Sequence, residues 1–93
     1  AGGVRIDEGA REAILKGGKS LLPVGVVGVQ GDFERGAIIG VRTLAAGEIA
    51  RGLGNYSASD LRRIVGRQSG DIADILGYDY GPEFIHRNNM VLL

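Results

Sequence analysis

The chain predicts a small twisted β-barrel with short helices closing its ends, and three observations carry that expectation. Its 93 residues make one domain, 1–93, enough for a single modest core. Seventeen glycines lie dispersed among Val, Ile and Leu, a pattern of bulged and sharply bent strands rather than of a flexible linker. The order of elements reads strand, helix, several strands, two short helices, strand. Long helices alternating with strands are missing, so a doubly wound sheet is excluded.

Residues 3–6 read as a short strand. Asp7 is a good helix N-cap, and Ala10, Ala13 and Ile14 recur at helical spacing until Gly17-Gly18. After Leu21-Leu22-Pro23, the run Val24 to Val29 is small and apolar on both faces, which predicts a strand buried on both sides and bent at its glycines. Gly31 to Gly36 is a charged turn with Phe33 tucked beneath it. Ala37 to Thr43 and Glu48 to Gly54 are β-like runs joined by Leu44-Ala45-Ala46-Gly47, hence a hairpin. Ser57 with Asp60 is a variant capping box, followed by the apolar stripe Leu61, Ile64, Val65 and a closing Gly66. Ser69 and Asp71 start a second short helix with Ile72, Ile75 and Leu76 inward, ended by Gly77. Phe84-Ile85 and Met90 to Leu93 supply the final strand material.

Eleven Lys and Arg balance eleven Asp and Glu, which argues against a dedicated nucleic-acid binder. The distribution is uneven. Arg62, Arg63 and Arg67 face only Asp60 in residues 57–69, whereas residues 70–85 carry Asp71, Asp74, Asp79 and Glu83 with no cation. A basic helix followed by an acidic one attracts partners of opposite sign, or is simply two solvated faces. No cysteine is present, which fits a reducing cytosol. No apolar run approaches the roughly 20 residues that span a bilayer, so no membrane partner is expected. The N-terminus has neither a basic region nor an apolar signal core, and no initiator Met, as an excised segment would show. Five aromatic residues are too few for a base-stacking platform.

Most motifs that suggest chemistry fail on context. Gly17-Gly18-Lys19-Ser20 looks like the end of a phosphate-binding loop, but position 13 is Ala13 where that loop needs Gly, and a helix precedes it. His86 is the only histidine and, without cysteine, cannot build an ordinary tetrahedral zinc site. Asp71, Asp74 and Asp79 lack the spacing of a calcium loop. No nucleophile motif surrounds Ser20, Ser57, Ser59 or Ser69, so no catalytic residue, metal or cofactor is expected in this segment. Asn55-Tyr56-Ser57 matches a glycosylation triplet, and reads more simply as a turn, a packed ring and a cap.

One binding hypothesis remains, on the basic residues. Lys16 and Lys19 flank the end of the first helix, while Arg62, Arg63 and Arg67 belong to the second, where positions 63 and 67 share a helical face. Such a row suits phosphate oxygens, the acidic helix of a neighbour, or this chain's own Asp74.

Several stretches, taken in order, resemble the PUA domain of bacterial glutamate 5-kinases. They are Asp7 with Gly9-Ala10, Gly18-Lys19-Ser20-Leu21-Leu22, Gly25-Val26 and Gly31-Asp32-Phe33-Glu34-Arg35-Gly36. Ala50-Arg51-Gly52-Leu53, Asn55-Tyr56-Ser57, Leu76-Gly77-Tyr78 and His86-Arg87 continue the likeness over nearly the whole chain. Ala37-Ile38-Ile39-Gly40 departs from the commoner charged residue after Gly36. The resemblance implies a mainly β, PUA-like pseudo-barrel of about five to six strands, and a cytoplasmic parent that phosphorylates L-glutamate with ATP and magnesium, opening proline synthesis. The ATP and glutamate sites would lie in a separate kinase domain. For this segment it implies a regulatory or assembly role against the kinase domain of the same chain or a neighbouring subunit. The alternative it carries is RNA binding, because RNA-modifying relatives meet RNA between the first helix and second strand and along the final strand. The RNA-binding candidates are therefore Lys16, Lys19, Ser20, Gly25, Arg62, Arg63, Arg67 and Arg87.

Overall fold

A computed structural model describes residues 2–93. Strand β1 (Gly2–Ile6) leads into helix α1 (Glu8–Gly17), then β2 (Val26–Gly31) and the hairpin β3 (Ile38–Thr43) and β4 (Gly47–Leu53). Two short helices, α2 (Ala58–Ile64) and α3 (Ile72–Leu76), precede the last strand, β5 (Met90–Leu92). The five strands form one mixed sheet in the order β2-β1-β3-β4-β5. Only β1 and β3 run parallel; every other neighbouring pair is antiparallel. The sheet is thus the mainly β architecture expected, with five of the five to six strands. No helix among the described residues is long and apolar enough to cross a membrane.

Local chemistry explains most boundaries. The Asp7 carboxylate accepts the Ala10 N–H at 2.8 Å and caps α1, and Gly18 ends that helix in the left-handed conformation that glycine adopts without steric cost. Asp7→Ala should cost the domain about 1 kcal/mol in urea unfolding, the usual loss for an N-cap truncated to Ala. Ser57 Oγ caps α2 by accepting from Asp60 N–H, as the sequence suggests. The reciprocal half of the capping box is absent, because the Asp60 carboxylate accepts the Tyr78 hydroxyl at 2.7 Å instead. In the β3–β4 loop, Thr43 Oγ1 is buried and accepts from Ala46 N–H.

Two expectations require correction. The run Val24 to Val29 is not one doubly buried strand. Pro23–Gly25 forms a 3₁₀ turn, and β2 begins only at Val26, at an edge of the sheet. The φ of Pro23 already suits a turn, and the Gly25 N–H closes that turn on the Leu22 carbonyl at 3.0 Å, which delays the strand to Val26. Of its valines, Val26 is buried while Val27 is 51% exposed. The second correction concerns Arg63 and Arg67, which do not share a helical face. Helix α2 stops at Ile64 because Val65 turns to extended backbone and Gly66 takes φ 72°. Arg67 follows in the ensuing turn, its N–H bonded to the Ile64 carbonyl.

The core lies between the sheet and the helices. Val4 and Ile6 of β1, Ile39 and Val41 of β3, and Ile14 of α1 meet Leu61 and Ile64 of α2 and Ile72 of α3. Phe33, Tyr56, Phe84 and Ile85, all from loops, complete it. Phe84 and Ile85 are held by backbone bonds to Leu21, so the segment before β5 is tied to the one before β2.

Candidate functional site

The sequence-derived candidates divide into separate places. Lys19, Ser20 and Gly25 line one cleft of about 440 Å³, together with Asp7, Ala10 and Leu22. Gly25 is required there: a Cβ on it would stand 2.6 Å from that of Ala10, closing the contact between α1 and the Pro23 turn. Lys19 and Arg87 line a second, smaller cleft of about 200 Å³ beside Ile14 and Met90. Ser20 joins the two, since its Oγ accepts the Arg87 N–H at 2.8 Å. Lys16 is turned to solvent and pairs with Glu12 at 2.9 Å.

The arginines around α2 are placed differently. Arg62 donates to the Gly31 carbonyl at 2.7 Å, tying α2 to the end of β2. Arg63 donates to the Ile75 carbonyl in the last turn of α3, where a cation is favoured by the helix dipole. Neither pairs with Asp74, and together with Arg67 they form no continuous row. The first use of Arg62 and Arg63 is to fasten α2 to the backbone of β2 and α3.

The Gly17-Gly18-Lys19-Ser20 segment follows the C-terminus of α1, where carbonyl groups present partial negative charge. That polarity is opposite to the helix N-terminus that holds phosphate in a nucleotide-binding loop. Among the described residues no three His, Cys, Asp or Glu side chains gather as metal ligands.

Two further features escaped the sequence reading. The first is a polar cleft of about 620 Å³ lined by Arg35, Leu53, Asn55, Glu83, His86 and Asn89 among others. It joins the Gly31–Gly36 turn, the end of β4 and the segment before β5, three stretches far apart in the chain. The second is an apolar strip on the outer face of β3, β4 and β5. Ile38 pairs with Leu53 and Arg51 with Val91, and paired residues share a face, as do Arg51 and Leu53 two apart. Ile38 is 64% and Val91 67% exposed, and with Leu53 they line a shallow hollow of about 220 Å³. The ion pair Arg51–Glu48 borders it, holding the Glu48 carboxyl below and the Arg51 guanidinium above their ordinary ranges through their hydrogen bond. Alternation in the second half of β4, where exposed Arg51 and Leu53 flank buried Gly52, was the available signal for this strip. The cleft had none, because its residues come from loops.

Behind the polar cleft stands a cluster of three tyrosines. Tyr56 is fully buried; its hydroxyl donates to the Gly81 carbonyl at 2.7 Å and accepts the Tyr80 N–H at 2.9 Å. Burial is the main cause that pushes its pKa up. The Tyr78 hydroxyl is also pushed up, chiefly by its bond to the Asp60 carboxylate. The Arg35 guanidinium lies 3.9 Å over the Tyr80 ring.

Fold and clefts define the class first: a small mixed β domain that holds its polar groups at loop-lined surface clefts. More narrowly, the chain belongs to the PUA domain family, whose model matches residues 2–76. It is 56% identical over 92 residues to the glutamate 5-kinase of Nitrosospira multiformis, covering 99% of this chain and 25% of that protein. The chain thus spans about a quarter of the length of that relative. Among solved structures it resembles a PUA domain from Aeropyrum pernix K1, determined as a tartrate complex. That match has a TM-score of 0.65 and 26% identity, over 91% of this chain and 41% of the other. A fold likeness also extends to the archaeal box H/ACA sRNP Nop10-Cbf5 complex, at TM-score 0.59 and 22% identity over 64% of this chain and 19% of that one.

Proposed function

We propose that this chain is the accessory PUA domain of a glutamate 5-kinase, acting in regulation or assembly and performing no catalysis of its own. The observation that carries this reading is 56% identity sustained across 99% of the chain, to a kinase four times its length. In the parent, ATP-dependent phosphorylation of L-glutamate to glutamyl 5-phosphate, with its magnesium, belongs to a separate kinase domain. The apolar strip of Ile38, Leu53 and Val91 supports an assembly role, because contiguous exposed apolar surface marks interaction sites. Its occupant is the kinase domain, of the same subunit or a neighbour. Backbone-tied arginines agree with this, since Arg62 and Arg63 are already engaged within the domain.

The paired substitution Ile38→Asp and Val91→Asp tests it. In the isolated domain the change should move stability by no more than about 0.5 kcal/mol per site, as for other exposed positions. In the full-length kinase the same pair should loosen the domain, read as faster limited proteolysis between domains or a smaller oligomer by light scattering. Unchanged proteolysis and unchanged mass would reject the docking face.

A second reading, RNA binding, rests on the convergence of Lys19, Ser20, Gly25 and Arg87 on two adjoining clefts. Fluorescence anisotropy with structured RNA at low and moderate salt separates the two. Phosphate contacts would lower log affinity by about 0.7–0.9 per log unit of salt for each phosphate neutralised. The accessory reading expects no such salt-dependent binding.

A further inference from the structure

We propose that the polar cleft between the Arg35 turn, the end of β4 and the His86–Asn89 segment binds a free α-amino acid as its zwitterion. Arg35, His86 and Asn55 are each held by hydrogen bonds and leave a defined group over. Arg35 spends Nε on the Asn55 carbonyl at 3.2 Å and its flat face on Tyr80, which leaves the two terminal nitrogens of a fixed guanidinium. His86 Nδ1 accepts the Asn88 N–H at 3.1 Å, so in the neutral ring the proton sits on Nε2 as a donor. Asn55 donates its amide to the Tyr80 carbonyl at 2.8 Å, leaving Oδ1 as an acceptor. Glu83 supplies a carboxylate. Among the described residues, none of Arg35, Glu83 and His86 takes part in an ion pair.

Arg35 and His86 therefore supply donors, Asn55 and Glu83 acceptors, and Asn89 an amide that is both, with one fixed cation and one anion. That set matches a carboxylate and an ammonium carried by the same small molecule. A simple anion would satisfy Arg35 and His86 but would face Glu83, and a simple cation would face Arg35. Guanidinium groups suit carboxylates through paired, charge-assisted hydrogen bonds. Leu53 gives an apolar wall for a side chain, and a cleft of about 620 Å³ lies within the range of roughly 300–1,000 Å³ usual for small-molecule sites. Leu53 also belongs to the apolar strip, so an occupied cleft would alter the edge of that surface. Binding by the domain alone does not depend on what the strip docks against.

The test is titration of the 93-residue chain with the common L-amino acids, one at a time, followed by amide chemical shifts in ¹H–¹⁵N NMR spectra. The expected result is saturable shifts at Arg35, Asn55 and His86 for at least one amino acid. Its N-acetyl derivative and its methyl ester should bind at least about tenfold more weakly, as should the Glu83→Gln and Arg35→Gln variants. Arg11→Gln, on α1 and outside the cleft, should bind as the unaltered chain does. The NMR spectra of the free variants report directly whether each is folded, and Glu83→Gln keeps the side chain's size. No saturable shift from any amino acid would overturn the proposal. Equal binding of the N-acetyl derivative, or binding untouched by Glu83→Gln, would reduce the cleft to an anion site and overturn it equally.

Discussion

Tyr56→Ala should lower the unfolding temperature of the domain by about 20 °C, the consequence of losing about 4 kcal/mol from a chain of this size. The ring is fully buried between the sheet and the loop that holds Tyr80 and Gly81. Truncation leaves a cavity and orphans two backbone groups that the hydroxyl alone satisfies, the Tyr80 N–H and the Gly81 carbonyl. Tyr56→Phe separates these effects. It keeps the packing and should cost about 1–3 kcal/mol, the penalty for leaving buried polar groups unpaired. It also removes a pH dependence. Because burial raises the folded pKa of Tyr56, the stability linked to its protonated form is present below about pH 10 and is lost as pH rises through the raised value. Tyr56→Phe should therefore lose less stability on alkaline titration than the unaltered domain. Equal loss would mean that the hydroxyl contributes nothing through its proton.

Gly52→Val should be comparably severe, costing about 3 kcal/mol or more through overpacking against atoms that cannot step aside. A Cβ at Gly52 would stand 2.5 Å from Ile85 Cγ2 and 2.8 Å from the Asn89 carbonyl oxygen. Asn89 immediately precedes β5, whose Met90 is the register partner of Gly52. Relief of the clash must therefore displace β5 from the sheet, and amide hydrogen exchange should show Met90–Leu92 losing protection first. Gly40→Ala is the control, because the atom in its way is the Glu48 carboxylate, the end of a flexible side chain. Urea unfolding should find it under about 1 kcal/mol, the scale of an off-rotamer adjustment. Similar losses at both positions would show that neither β3 nor β4 tolerates a side chain in place of its glycine, rather than β4 tolerating none against β5.

The features legible in the chain were those with short-range causes. Asp7 and Ser57 announced their helices because a cap acts within three residues. The β3–β4 hairpin followed from two apolar runs and a short loop, and the buried Phe33 and Tyr56 from single aromatic residues within polar turns. The misreadings have equally definite causes. Val24 to Val29 read as interior because its residues are small and apolar, yet a strand's neighbours are chosen by the sheet, and β2 lies at its edge. Arg63 and Arg67 read as one face because the apolar stripe ran through Val65, while a change of ψ at that residue ended the helix.

Of the candidate site, the sequence alone determined the inventory: balanced charge, a single histidine, and the ordered stretches that mark a PUA domain. Tertiary structure decided the grouping. It spent Arg62 and Arg63 on carbonyls of β2 and α3, joined Lys19 to Arg87 across some seventy residues, and gathered Arg35, Asn55, Glu83 and His86 around one cleft. Periodicity reports which face of an element a side chain occupies. It is silent about which loops meet, because loop positions follow from the packing of the sheet that carries them.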